Sequence, residues 1–293
     1  MSTRKWIIAA LAALLGLCVL LAVVAVPRTP AAQTADVAIL MYHAFTEDEA
    51  DTGSLYTPAS EFARQLSALR DAGYTSVGYA DLIEFVNGEG KLPEKPLLIS
   101  IDDGYQNNLD LAAPLLETYG FCANIAVIGV SIGRKTYKDA GVPITPHFSL
   151  EDARPWIERG VLTVTTHSYD MHQIAAVDGN DCRRGVLQMP GEAEPDYIAA
   201  LTQDYTRAQE QLAGLPGTPL PVFTYPFGAY SELSERVLQE LGVQVTVTTE
   251  GGANRLVKGE PETLRLLHRI HVWRGTKPDM LLSRIDGALQ ALR

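Results

Sequence analysis

The sequence predicts an α/β fold: a (β/α) barrel, irregular or incomplete, with about seven strands. Three observations predict it. Short apolar runs alternate with amphipathic stretches along the chain of 293 residues, and such alternation implies parallel strands joined by right-handed crossovers. The alternating part of the chain is of roughly 250 residues, a size at which a single barrel packs economically. No G-x-G-x-x-G follows the first run, so the competing doubly wound sheet lacks support in its nucleotide-binding form.

The strands are expected at residues 37–41, 97–101, 124–128, 162–166, 222–224, 243–248 and 267–272, each a near-continuous apolar run of the kind buried on both faces. Between them lie helices. One is expected to begin with Thr57 as cap and Pro58 as first residue, presenting Phe62, Leu66 and Leu69 along one face. Another begins at Ser149, with Asp152 as the acid of a capping box, and runs into Trp156 and Ile157. Further helices fit residues 109–119, 197–212, 231–241 and 278–292.

Ahead of this body, residues 6–26 form a run without a charge, preceded by Arg4 and Lys5. That is about the length needed to cross a ~30 Å hydrocarbon layer as a helix, and the flanking charges keep the N-terminus inside. Residues 1–5 are therefore expected in the cytoplasm, 6–26 as an uncleaved anchor rather than a signal peptide, 27–36 as a tether, and 37–293 as an extracytoplasmic domain at the cell membrane. Cys18 follows the bulky Leu17, against lipidation, and Cys122 and Cys182 are expected to be unlinked. The chain carries 24 basic and 35 acidic residues, and Arg4, Lys5 and Arg28 are the only charges before Asp36. So acidic a body repels phosphate backbones, which excludes nucleic acid as a natural partner and favours a neutral or amino-bearing substrate. No protein partner is indicated.

Three clusters fall just past expected strands, where α/β folds put their chemistry. The first is Asp102-Asp103-Gly104, two carboxylates where a buried strand emerges. The second holds His167 and His172, two of only six histidines; five residues apart they would diverge by about 140° on a helix, so sharing a ligand requires a loop. The third is Tyr225-Pro226-Phe227-Gly228, whose proline and glycine suit a tight turn that aims a backbone N–H. Two histidines and one carboxylate make a three-ligand site with an open position for water, as in catalytic zinc sites, and the spare carboxylate can serve as base. Such a site hydrolyses an acyl group.

These clusters, taken in order with Met41-Tyr42-His43 and Arg269-Ile270-His271-Val272, resemble the polysaccharide deacetylases of carbohydrate esterase family 4, which share the NodB homology domain. The branch containing poly-N-acetylglucosamine deacetylases is the most similar. The resemblance spans about residues 37–276. It implies that Asp103, His167 and His172 hold a divalent metal, zinc being expected, that Asp102 is the base, that the Phe227 N–H meets the oxyanion, and that His43 rather than His268 is the acid. Many members begin the third motif with an arginine that orients the base; here Thr224 stands in that place. His147 is expected to be a surface or structural histidine, and His271 to be non-catalytic.

The expected function is metal-dependent removal of N-acetyl groups from an extracytoplasmic amino-sugar polymer such as poly-N-acetylglucosamine, peptidoglycan or a chitin-like glycan. An O-acetyl esterase acting on xylan-like glycan would use the same residues. A glycoside hydrolase would use Asp102 and Asp103 without metal, and a glycan-binding module would need no turnover.

Overall fold

A computed structural model describes residues 33–48, 53, 55–217 and 219–293. Within the compact unit Thr34–Arg293, nine strands form one sheet. In chain order they are β1 (Thr34–Tyr42), β2 (Thr75–Ser76), β3 (Pro96–Asp103), β4 (Ala123–Val127), β5 (Leu162–Thr166), β6 (Val222–Thr224), β7 (Val245–Val247), β8 (Ala253–Val257) and β9 (Ile270–His271). The spatial order is β7-β6-β5-β4-β3-β1-β8, with β2 beside β3 and β9 beside β1. All pairings are parallel except that of β8 with β1.

The sheet curls into an incomplete barrel. One edge of β1 is shared: its first half pairs with β8 at Ala38↔Ala253, and its second half with β9 at Leu40↔Ile270. Three residues before β9, Leu267 bridges Val247 of β7, so this short segment spans the two ends of the curl. All seven expected runs are thus staves of the sheet, although the last two are trimmed to Val245–Val247 and Ile270–His271. The antiparallel β8 was not anticipated: Asn254 and Arg255 interrupt its apolar pattern.

Burial explains the parallel core. Every residue of β3 is buried, as expected of a strand covered on both faces. Helices α1 (Ala59–Asp71), α2 (Tyr79–Asn87), α3 (Ala113–Tyr119), α4 (Leu150–Glu158), α5 (Glu194–Leu212), α6 (Glu232–Glu240) and α7 (Pro278–Gln290) supply that cover. α1 sets Phe62, Leu66 and Leu69 into the core, as its spacing requires. It starts one residue later than expected: Thr57 and Pro58 belong to a short strand, and Pro58 is the N-cap. At α4, Ser149 Oγ accepts from the Asp152 N–H at 3.1 Å, a cap worth about 1 kcal/mol. The stretch 109–119 is not one α-helix; a π-helical turn, Asn108–Ala112, precedes α3. α2, between β2 and β3, was not expected. Cys122 and Cys182 are free. Among the described residues no helix is long and apolar enough to cross a membrane; the expected span, 6–26, lies outside them.

Register brings the chemistry to one rim. Tyr42 pairs with Ile101, Asp103 with Val127, Val127 with Thr166, and Thr224 with Val247. His43, Asp103, His167 and Tyr225 therefore stand at the same C-terminal mouth.

Candidate active site

Three strand ends leave the sheet through the same device. Asp103, Ser168 and Phe227 all take left-handed backbone conformations, with φ of 75°, 70° and 58°. For residues with a side chain this is uncommon and concentrates at functional sites. At the end of β3 the turn begins at Asp103 itself, one residue earlier than expected at Gly104. This frees Asp103 from the strand's alternation, so that both carboxylates reach the mouth. Gly104 continues the turn at φ 83°, and a Cβ there would lie 2.8 Å from Val127 Cγ1.

The histidine loop is tied from beneath. The Asp204 carboxylate, on α5, accepts from the backbone N–H of Tyr169 at 2.9 Å and of Asp170 at 2.7 Å, while Ser168 Oγ accepts from the Met171 N–H at 3.1 Å. The loop thereby returns His172 to His167, with ring centroids 5.0 Å apart. Both imidazoles turn Nε2 toward one oxygen: Asp103 Oδ1 is 3.8 Å from His167 Nε2 and 3.6 Å from His172 Nε2. The donor atoms of the three residues all lie within 4.8 Å of one another.

This donor set fits a divalent cation. Asp103 Oδ1 is buried without a hydrogen-bond partner among the described residues, and an orphaned buried carboxylate oxygen is costly unless something pairs with it. His167 Nδ1–H donates to the Thr224 carbonyl at 2.8 Å, which leaves the Nε2 lone pair facing inward, the second-shell arrangement of ligating histidines. Burial pushes the His167 pKa down to about 4, so at neutral pH the ring is uncharged and able to ligate. One oxygen and two nitrogens suit zinc or a similar ion.

Asp102 faces a different partner. It is buried, and Arg269 donates to it through Nη1 at 2.7 Å and Nη2 at 2.8 Å. The guanidinium is itself buried and also donates to Ser100 Oγ at 3.0 Å and, through Nε, to the Thr248 carbonyl at 2.7 Å. Burial alone would raise the Asp102 pKa, but Arg269 and the histidines outweigh it and hold the carboxyl well below its usual range. An arginine that orients Asp102 is therefore present although Thr224 is not one: it comes from the segment beside β9. Its one signal in the sequence is a charged residue inside a run that reads as buried on both faces.

The remaining residues sort by distance. His43 Nε2 is 3.9 Å from Asp102 Oδ2, whereas His268 is half-exposed beside Glu250, at 3.5 Å. His271 lies at the site, its ring 6.3 Å from that of His43. The Phe227 ring packs 4.2 Å from that of His172. Gly228 has no substitute: a Cβ would lie 2.1 Å from Thr249 Oγ1 and 2.9 Å from its backbone nitrogen. His147 is not a surface residue, being 9% exposed against the Tyr105 ring.

A carboxylate held ionised beside a three-donor cluster, at the mouth of a curled parallel sheet, is the equipment of a hydrolase. The polysaccharide deacetylase family profile matches residues 89–246, more than half of the chain, and the chain belongs to that family. It is 27% identical over 234 residues to the Bacillus subtilis (strain 168) protein YxkH, whose name places it among the polysaccharide deacetylases; the match covers 80% of this chain and 70% of that protein. It is 22% identical over 226 residues to the poly-β-1,6-N-acetyl-D-glucosamine N-deacetylase of Escherichia coli (strain K12), covering 73% of this chain. The match spans about a third (34%) of that longer relative. The fold matches a solved de-N-acetylase from Aggregatibacter actinomycetemcomitans with a TM-score of 0.73 at 18% identity, over 85% of this chain and all of that one.

Proposed function

We propose that the protein is a metal-dependent N-deacetylase of an extracytoplasmic amino-sugar polysaccharide, poly-N-acetylglucosamine being the first candidate. One observation carries the reading: Asp102, ionised by Arg269, sits next in sequence to Asp103, whose orphaned oxygen faces two histidines. The name of the Escherichia coli relative supports the polymer.

In this reading Asp103, His167 and His172 would hold zinc. When bound, such a cation supplies a Lewis acid that polarises the acyl carbonyl and acidifies water. Asp102 takes the proton of the attacking water, and Arg269 keeps both its oxygens oriented and its charge in place. The Phe227 N–H donates to the developing oxyanion, a contact worth about 3–4 kcal/mol in comparable sites. His43 gives a proton to the departing nitrogen; its distance to Asp102 favours it over His268. Acetate and a free amine leave. Residues 6–26 anchor the domain outside the cytoplasmic membrane.

The test joins metal analysis to acetate release from a panel of N- and O-acetylated glycans. Asp102→Asn is expected to keep its zinc and lose at least about 100-fold in turnover. Release from O-acetylated xylan alone would make the protein an esterase. Chain cleavage that survives a chelator would replace the reading with a glycoside hydrolase, and an unimpaired biological role for Asp102→Asn would leave only a binding module.

A further inference from the structure

Two exposed aromatic rings adjoin the catalytic residues. Among the described residues the large apolar side chains that stand in solvent are Leu55, Val142, Ile174, Phe227, Trp273 and Met280, and only Phe227 and Trp273 are aromatic. Phe227 packs against His172. Trp273, 47% exposed, has its ring 4.1 Å from that of His271 at an interplanar angle of 80°, and the His271 ring is in turn 6.3 Å from that of His43. A single exposed apolar residue needs no explanation. Here both exposed rings stand at the mouth, and Trp273 has no part in the chemistry set out above. Its near-perpendicular contact with His271 fixes the tilt of the indole and leaves nearly half of the residue in water.

From Trp273 a groove of about 580 Å³ extends away from the mouth, within the range of roughly 300–1,000 Å³ that small-molecule sites occupy. His271 and Trp273 line it at the catalytic end, Gly251 and Gly252 from the loop before β8, and Arg284 and Gly287 from α7. The helix keeps its wall bare against its own propensity. Gly287 lies inside α7, where glycine is about 1 kcal/mol less favourable than alanine. It has no positive φ, and a Cβ there would meet nothing within 4 Å. Neither backbone conformation nor close packing calls for this glycine; a side chain would simply occupy the groove. Arg284 has no ion-pair partner among the described residues, so its guanidinium is available to donate to oxygens held there.

We propose that Trp273 is a stacking platform for the sugar next to the one being deacetylated, with the groove beyond it holding that unit, so that the protein recognises a polymer rather than a single acetamido sugar. The inference rests on the deacetylase reading above and adds a binding residue to it. A pyranose presents a face of C–H groups, and laying that face on the indole removes apolar area of both from water. Its hydroxyl and acetyl oxygens project from the edge of the ring, where Arg284 donates to them. Binding energy gained on such a remote part of the substrate holds the acetyl group at the reacting centre. It therefore acts on substrates that carry a second sugar and not on an acyl group presented alone.

The full-length protein is to be assayed for acetate release from β-1,6- and β-1,4-linked N-acetylglucosamine pentamers and from p-nitrophenyl acetate, which offers the acetyl group without a sugar. Trp273→Ala is expected to lower the pentamer-to-aryl-acetate ratio of kcat/KM by about tenfold or more, the scale of a lost apolar contact in a binding site, and to do so mainly through KM. Trp273→Tyr, which keeps a ring, is expected to restore most of that ratio. Gly287→Leu fills the groove from a position where helix propensity improves; it is expected to lower the ratio likewise while the melting temperature holds. An unchanged ratio in Trp273→Ala would overturn the inference and leave the deacetylase reading standing. So would an equal loss on both substrates, or a Trp273→Tyr variant as impaired as the alanine one, either of which would make the indole only a support for His271. Acetate release from no glycan would instead sink the deacetylase reading, and this inference with it.

Discussion

Arg269 and Asp204 both hold the site's geometry, and neither is a candidate to touch substrate. Arg269 makes two charge-assisted hydrogen bonds to a carboxylate that has little water to fall back on. Removing one partner of a buried pair strands the other, at a typical cost of 3–5 kcal/mol. Arg269→Met is expected to lose about that much in urea denaturation. It is also expected to move the acid limb of the rate profile to higher pH, because burial would then raise the Asp102 pKa against the nearby histidines alone. Asp204 behaves oppositely. Burial pushes its pKa up to about 6, against the two backbone N–H groups that favour the charged form, with Asp170 raising it further and Arg183 lowering it. A carboxyl raised on folding binds more protons in the native state than in the unfolded one. Its contribution to stability is full below the ordinary carboxylate range and is lost as pH rises through about 6. Denaturation of wild type against Asp204→Asn across that window is expected to show the wild type losing its relative advantage as pH rises; a constant difference would refute the assignment.

At the level of elements, the strand ends matter more than the strands. β3 ends in a left-handed residue with a side chain, Asp103, and β5 and β6 run into others, Ser168 and Phe227; a neighbouring glycine or hydroxyl makes each turn possible. At Phe227 the support is Gly228, packed against Thr249. Gly228→Ala must displace this turn, since a Cβ at φ 64° meets both a side chain and backbone. The expected result is a fall in kcat of about 100-fold, the usual loss when an oxyanion donor is misplaced. Zinc content should be retained, because the three donor residues stand on other loops. Zinc analysis of the purified variant separates this outcome from general unfolding.

At the scale of the whole molecule, two properties can be tested without a variant. Prolonged chelation is expected to abolish acetate release and added zinc to restore it, with a lower melting temperature for the stripped protein, since a ligand that binds only the native state stabilises it. The excess of 35 acidic over 24 basic residues is expected to retain a polymer that becomes cationic as its acetyl groups leave. Raising ionic strength should therefore weaken binding of a partly deacetylated oligomer more than that of the acetylated one. Equal salt dependence would remove any role for the charge.

The alternation of apolar runs with amphipathic stretches determined the fold class by itself, because burial on both faces and right-handed crossovers leave few other packings. It also determined which residues reach the mouth: His43, Asp102, Asp103, His167, His172 and Phe227 all follow expected strands, and strand ends are where parallel sheets expose side chains. Position along the chain could not say which carboxylate faces the histidines, since that depends on φ at Asp103, a single torsion without a periodic trace. Nor could it reveal Arg269, which meets Asp102 across 167 residues of chain. Only the closing of the sheet, which sets residues 267–271 between β7 and β1, decides that contact. The buried setting of His147 belongs with it, made by a hairpin whose fastening to another loop is an ion pair between distant segments rather than a pattern within either.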